Sequence, residues 1–321
     1  MTMESPRHSS DEKKPDSRLR AEQLLQKVDF ELLRTIFSEE VRRSGMDPAS
    51  INLRTVDDGI RLDIIKESAD AGYMPWTNEI KIDPEKISEY KSGKGANFEN
   101  EIFGALCHEE THAVSRRPHT GILLIELFRF LLNKPTMQVG VEYSTRSDET
   151  SFNILNEAIT DTVAEEVYDE YIRRSGDRSL FGDHAGTSEF PRTYIYGRIV
   201  LRAFISALVR ATDIPEEVVW GGIKRSFFSG INLASRELTK LYKEILRINA
   251  AEIMRNPTSS HDISSDTIKQ LNRIGTGEVE ELAMELAKSI ETMSWSAALK
   301  KRATNILHKI IPSESSSDNL K

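Results

Sequence analysis

Six consecutive residues, Cys107-His108-Glu109-Glu110-Thr111-His112, constrain this chain more than any other segment. His108 and His112 stand four positions apart, so an α-helix presents both imidazoles on one face to a single ion. Glu109 follows His108 directly, and on the same helix its carboxylate reaches a water on that ion. The surrounding sequence reads as the required helix. From Asn97 to Ser115, Ile102, Phe103, Leu106 and Ala113 recur on one side, and Arg116-Arg117-Pro118 ends the pattern. The bland alternative is an amphipathic helix carrying two exposed histidines. With seven histidines in the chain, a chance match to H-E-x-x-H is expected about once in a hundred such compositions.

A second segment weighs against that alternative. A hydrolytic zinc site takes three protein ligands and keeps one position open. Leu155-Asn156-Glu157-Ala158-Ile159-Thr160-Asp161 lies within a helical pattern from Phe152 to Arg174. Glu157 and Asp161 are again four apart and share a face. Glu157 can supply the third ligand, and Asp161 can accept the remaining ring N–H of a ligating histidine. The competing reading is an acidic solvated face, since Glu165 and Glu166 follow. Ile154, Ala158 and Val163 nearby argue for a buried one.

The pair H-E-E-T-H and N-E-A-I-T-D resembles the signature of gluzincin-type zinc metallopeptidases, the thermolysin-like branch of the zincins. The resemblance implies His108, His112 and Glu157 as ligands of Zn2+, Glu109 as general base, and Asp161 as the group that orients a ligating histidine. The order of flanking segments extends the likeness from about Ile51 to Leu208. Tyr194-Ile195-Tyr196-Gly197, ahead of the apolar stretch Ile199–Leu208, resembles the Y-x-x-G that opens a helix in aminopeptidase-like gluzincins. There the tyrosine hydroxyl stabilises the tetrahedral intermediate, a role that falls to Tyr194, with Tyr196 in reserve. A helix-start tyrosine packed on the core is the equal alternative. In zincins the edge strand before the H-E-x-x-H helix binds extended peptide by strand addition; Asn78–Asp83 holds that place in the order, and an ordinary sheet strand is the equal alternative.

Two departures limit the carry-over. Glu157 lies 45 positions beyond His112, farther than in thermolysin-like or aminopeptidase-type enzymes. The extra length contains the apolar run Gly121–Leu132, read as a buried helix. No G-x-M-E-N segment is present, which argues against a simple aminopeptidase.

The rest of the chain reads as α+β and predominantly helical: a zincin-like core with a small sheet upstream of the H-E-x-x-H helix, then a helical C-terminal part. Residues 1–17 and 312–321 read as disordered tails, 18–230 as the core and 231–311 as the C-terminal helical region. Arg18–Arg43 shows one helical pattern closed by Ser44-Gly45. Ile51 and Leu53, then Ile60, Leu62 and Ile64, alternate as half-buried strands about an Asp58-Gly59 turn. Ile80 and Ile82 mark a further strand, and Met137–Ser144 a short strand or loop. Helices are expected over Thr193–Ala211, after Asp213-Ile214-Pro215, and from Ser235 to Ile311 with breaks near 257–265 and 275–277.

The 43 basic and 51 acidic residues leave a net charge of −8, which does not suit a nucleic-acid binder. The single Cys107 can form no intrachain disulfide and reads as a small buried apolar residue. No apolar stretch suits a signal peptide or a bilayer span, so no stable membrane insertion and a cytoplasmic location are expected. His8, His119 and His184 read as solvated, as does the basic face of Lys300-Lys301-Arg302 and Lys309. The expected function is zinc-dependent hydrolysis of a peptide or protein substrate, with Glu109 as base. A zinc hydrolase of a non-peptide bond and a non-catalytic gluzincin-fold binding or scaffold protein are the alternatives.

Overall fold

The computed structural model describes residues 17–50, 53–55, 57–65, 69–75, 77–92, 97–117, 136–140, 142–145, 154–176, 190–191, 194–229, 233–255 and 277–311. The two tails (except Ser17, which begins the first helix), the 121–132 run, His8, His119, His184 and the break near 257–265 lie outside them. The described residues are predominantly helical, with two small three-stranded sheets.

Two helices open the fold, α1 (Ser17–Lys27) and α2 (Phe30–Arg43). The continuous helix expected over Arg18–Arg43 is therefore interrupted, and Asp29 is the reason. Its side chain accepts from the backbone N–H groups of Glu31 and Leu32 as the cap of α2. Its own N–H donates to the Tyr171 hydroxyl at 2.8 Å. A residue committed to both contacts cannot continue α1.

The first sheet joins β1 (Ile60–Leu62), β2 (Ala71–Met74) and β3 (Glu79–Ile82) in the order β1-β3-β2. β1 pairs with β3 in parallel, Ile60 opposite Ile80, and β2 with β3 in antiparallel, Tyr73 opposite Ile80. This corrects two expectations and decides between the two readings of Asn78–Asp83. Leu53 belongs to no strand, and Thr55 makes only an isolated bridge to Gly59. Ile64 lies beyond the end of β1 and is 71% exposed instead of buried. Asn78–Asp83 is not an edge, because β3 is the central strand.

Next come α3 (Pro84–Ser92) and α4 (Phe98–Ser115), which carries the H-E-x-x-H segment. Asn97 caps α4 by accepting from the N–H groups of Glu99 and Asn100, and Glu99 and Glu101 suit the positive end of its dipole. From Leu106 to Ser115 every α4 side chain is buried. α4 packs between the β2–β3 face, α3 and the next described helix, α5 (Ile154–Ser175).

At its C-terminal end α4 runs directly into β4 (Arg116–Arg117). β4 pairs with β5 (Thr136–Val139), and β5 with β6 (Glu142–Thr145), in a second, antiparallel sheet. The short strand expected near Met137–Ser144 is thus a hairpin.

Four further helices follow: α6 (Ile195–Thr212), α7 (Glu216–Ser229), α8 (Leu233–Arg255) and α9 (Gly277–Thr292). The last described helix is α10 (Ala297–Ile310). Buried apolar side chains from Ala21 to Ile310 form one continuous core, so the described part of 231–311 packs into the same core as 18–230. α9 and α10 both lie against α6. On α10, Lys309 Nζ donates to Glu237 at 2.8 Å and Arg302 pairs with Glu244, both on α8. That face is part of an ion-paired helix contact, while Lys300 and Lys301 are exposed.

One buried ionic knot ties α2, α5 and α7 together. Lys224 on α7 pairs with Glu40 on α2 and, at 3.0 Å, with Glu166 on α5. Trp220 Nε1 donates to Glu166 at 2.8 Å, and Arg43 reaches the other oxygen of Glu40 at 2.7 Å. The acidic run after Asp161 is therefore an internal contact, not a wet face.

Candidate metal centre

α4 and α5 pack side by side with His108, His112 and Glu157 on their facing surfaces. All three side chains are buried. Glu157 Oε2 lies 3.3 Å from His108 Nε2 and 3.4 Å from His112 Nε2. One donor atom from each of the three residues falls within 4.8 Å of the others. Zinc ligands at 2.0–2.2 Å in a tetrahedron stand roughly 3.3–3.6 Å apart, so both measured separations match a tetrahedral edge. Two neutral-capable imidazoles and one carboxylate are also donors that zinc takes in hydrolytic sites. The residues present therefore fit the ion that the sequence implied.

The electrostatics bind these groups to one another. Burial alone would pull His108 down, but the Asp161 and Glu157 carboxylates, then Glu109, outweigh it and leave its pKa well above the ordinary imidazole value. Burial opposes ionisation of Glu157, yet the charge of His112 and hydrogen bonds from both imidazoles hold it well below the usual carboxylate range.

Asp161 is fully buried one turn along α5 from Glu157. Its Oδ1 lies 3.4 Å from His108 Nδ1, and its Oδ2 3.5 Å from Arg198 Nη1. These are charge contacts that do not meet hydrogen-bond geometry, and among the described residues all four atoms are otherwise unpartnered. On the other imidazole, Thr160 Oγ1 stands 3.4 Å from His112 Nδ1 and donates to the Asn156 carbonyl at 2.9 Å. Each histidine thus has an α5 side chain behind its far nitrogen. We expect Asp161→Asn, which keeps the shape and removes the charge, to weaken zinc affinity ~10- to 100-fold. Competition against a chromogenic chelator measures it.

Glu109 is buried beside the triad but, among the described residues, belongs to no metal-holding group. Burial raises its pKa, the His108 and His112 charges pull it back, and Glu157 pushes it up again. The Tyr73 backbone, on β2, also lowers it, by the smallest of these effects. Asp83 N–H bonds to the Asp70 carbonyl, and Asn78 N–H to the Met74 carbonyl. In antiparallel alternation Asp70, Gly72 and Met74 then turn their backbone groups to β3, and Ala71 and Tyr73 turn theirs outward. The edge strand beside the site is β2, not Asn78–Asp83.

Tyr194 occupies the cap position of α6 and makes no capping hydrogen bond with its side chain. Its ring stacks on His108, with centroids 5.3 Å apart and planes 22° from parallel. Burial first, then the charges of Glu157, Glu109 and Asp161, keep its hydroxyl protonated well above the ordinary phenol value. Tyr196 is instead packed partly against the core. Cys107 is fully buried, outside the donor group, with its thiol pushed up by burial.

Arg198 was not anticipated. It is 5% exposed, pairs with Glu165 and faces Asp161. An arginine in a helical pattern reads as solvated; only its position one turn after Tyr194 linked it to the site. The Tyr73 effect comes from the backbone and has no side-chain signature.

Comparison with protein-family models, curated proteins and solved structures finds no match to this chain.

Proposed function

We propose that this protein is a zinc-dependent hydrolase of peptide bonds, of gluzincin type. The observation that carries the reading is the convergence of His108, His112 and Glu157, with the carboxylate at tetrahedral-edge distance from both imidazoles and Glu109 buried alongside and outside the donor group. When bound, zinc supplies Lewis-acid polarisation and brings the pKa of a bound water to about 7.

The chain's own residues supply the rest. His108 and His112 offer Nε2, and Asp161 holds the far nitrogen of His108 in a charged environment. Glu109 accepts a proton from the attacking water and returns it to the leaving amine. Burial keeps Glu109 sensitive to the charges around it. The Tyr194 hydroxyl, held protonated, is a donor for negative charge developing on the carbonyl oxygen, a contribution of about 3 kcal/mol when aligned. The outward backbone groups of Ala71 offer an extended substrate its ladder partners. A bond presented along a strand favours peptide over other scissile bonds.

A mixed peptide library incubated with zinc-loaded protein tests this. Cleavage that stops when chelator strips the metal, and returns on adding zinc, is expected. A zinc-loaded protein that cleaves no peptide would overturn the peptidase reading and favour a scaffold, or a hydrolase of another bond.

A further inference from the structure

The two ligand-bearing helices are far apart in sequence, and the second sheet joins them. β4 continues α4 without a break, four residues after His112. Arg116 in β4 pairs with Val139 in β5, and the next residue, Gly140, is buried. Gly140 adopts φ +59°, the left-handed region that favours glycine. A Cβ placed on it would overlap Asn156 Oδ1 and Phe227 Cε2 and lie 2.7 Å from Phe227 Cδ2. Asn156 is 2% exposed and immediately precedes Glu157. Its carbonyl takes the Thr160 hydroxyl that stands behind His112. The path therefore runs from His112 through β4, β5 and Gly140 to Asn156, and back through Thr160 to the same histidine.

We infer that the β4–β5–β6 unit is a strap across the metal centre, with Gly140 as the positioning residue that sets where the Glu157 segment of α5 sits relative to α4. This inference rests on the metal reading above. The absence of a side chain at residue 140 lets the turn seat directly on Asn156. Any side chain there must displace the Asn156 carboxamide, on the residue next to Glu157, or the Phe227 ring on α7. Tetrahedral ligation tolerates little change in donor separation, so the consequence falls on the ion.

Gly176 supplies an internal control. It has φ +61°, the same backbone handedness, but a Cβ there meets nothing within 4 Å. Gly140→Ala and Gly176→Ala thus share the backbone cost and differ in the clash. Zinc affinity by chelator competition and the melting temperature of the metal-free protein are to be measured for wild type, both glycine variants and Asn156→Ala. The last loosens the seat without adding bulk, and serves if Gly140→Ala does not fold.

The strap predicts that Gly140→Ala and Asn156→Ala each lose at least ~10-fold in zinc affinity, the scale of losing a supporting group. Gly176→Ala should bind zinc as wild type does, whatever its melting temperature. Wild-type zinc affinity in a folded Gly140→Ala overturns the strap while leaving the metal centre intact. So does wild-type affinity in Asn156→Ala if Gly140→Ala is unfolded, or an equal affinity loss in Gly176→Ala. A wild-type protein that binds no zinc overturns the metal reading itself.

Discussion

Glu109→Gln is expected to lower peptide hydrolysis by ~10²- to 10⁴-fold while leaving the fold and the zinc affinity at wild-type values. Gln keeps the size of the side chain. It cannot take up a proton. Glu109 offers no donor atom to the His108–His112–Glu157 group, so no metal contact is lost. The variant separates a residue that acts on the reacting water from one that only holds the centre together. Turnover on a cleavable library peptide, measured beside zinc stoichiometry, reads both. Equal turnover with zinc bound would remove Glu109 from the mechanism.

His112→Ala is expected to abolish tight zinc binding, a loss larger than the ~100-fold upper range for residues that merely support a ligand. Two things go at once. One of three donors is removed, and among the described residues buried Glu157 keeps only His108 as a partner within 3.4 Å. Titration of metal-free variant with zinc against a chelator checks it, with circular dichroism to establish that α4 persists. Tight zinc binding in a folded His112→Ala would mean that the ion is held elsewhere.

The centre was legible in the sequence because helical periodicity converts spacing into direction. Residues four apart share a face, so His108 and His112 could be paired, as could Glu157 and Asp161. Asn97 and Ser115 bound α4 closely to the expected span, since capping and Pro118 leave local marks. What failed was whatever depends on partners far along the chain. Asp29 interrupts the first helical pattern because Tyr171 receives its N–H, 142 residues away. Ile80 and Ile82 announced a strand, but nothing local says that β1 and β2 flank it. β2 itself, Ala71-Gly72-Tyr73-Met74, is short and holds a glycine, with little alternation to read. Arg198 and Lys224 look like solvated helix positions until Asp161, Glu165, Glu40 and Glu166 close around them. Gly140 gives no signal beyond being a glycine in a turn.

The central claim is that His108, His112 and Glu157 together hold one zinc ion. X-ray absorption at the zinc edge, on protein loaded with one equivalent, tests it most directly. The predicted spectrum has a first shell of nitrogen and oxygen alone at about 2.0–2.2 Å, with the outer-shell scattering of two imidazoles. A sulfur scatterer at about 2.3 Å, or the signature of fewer than two imidazoles, would contradict it.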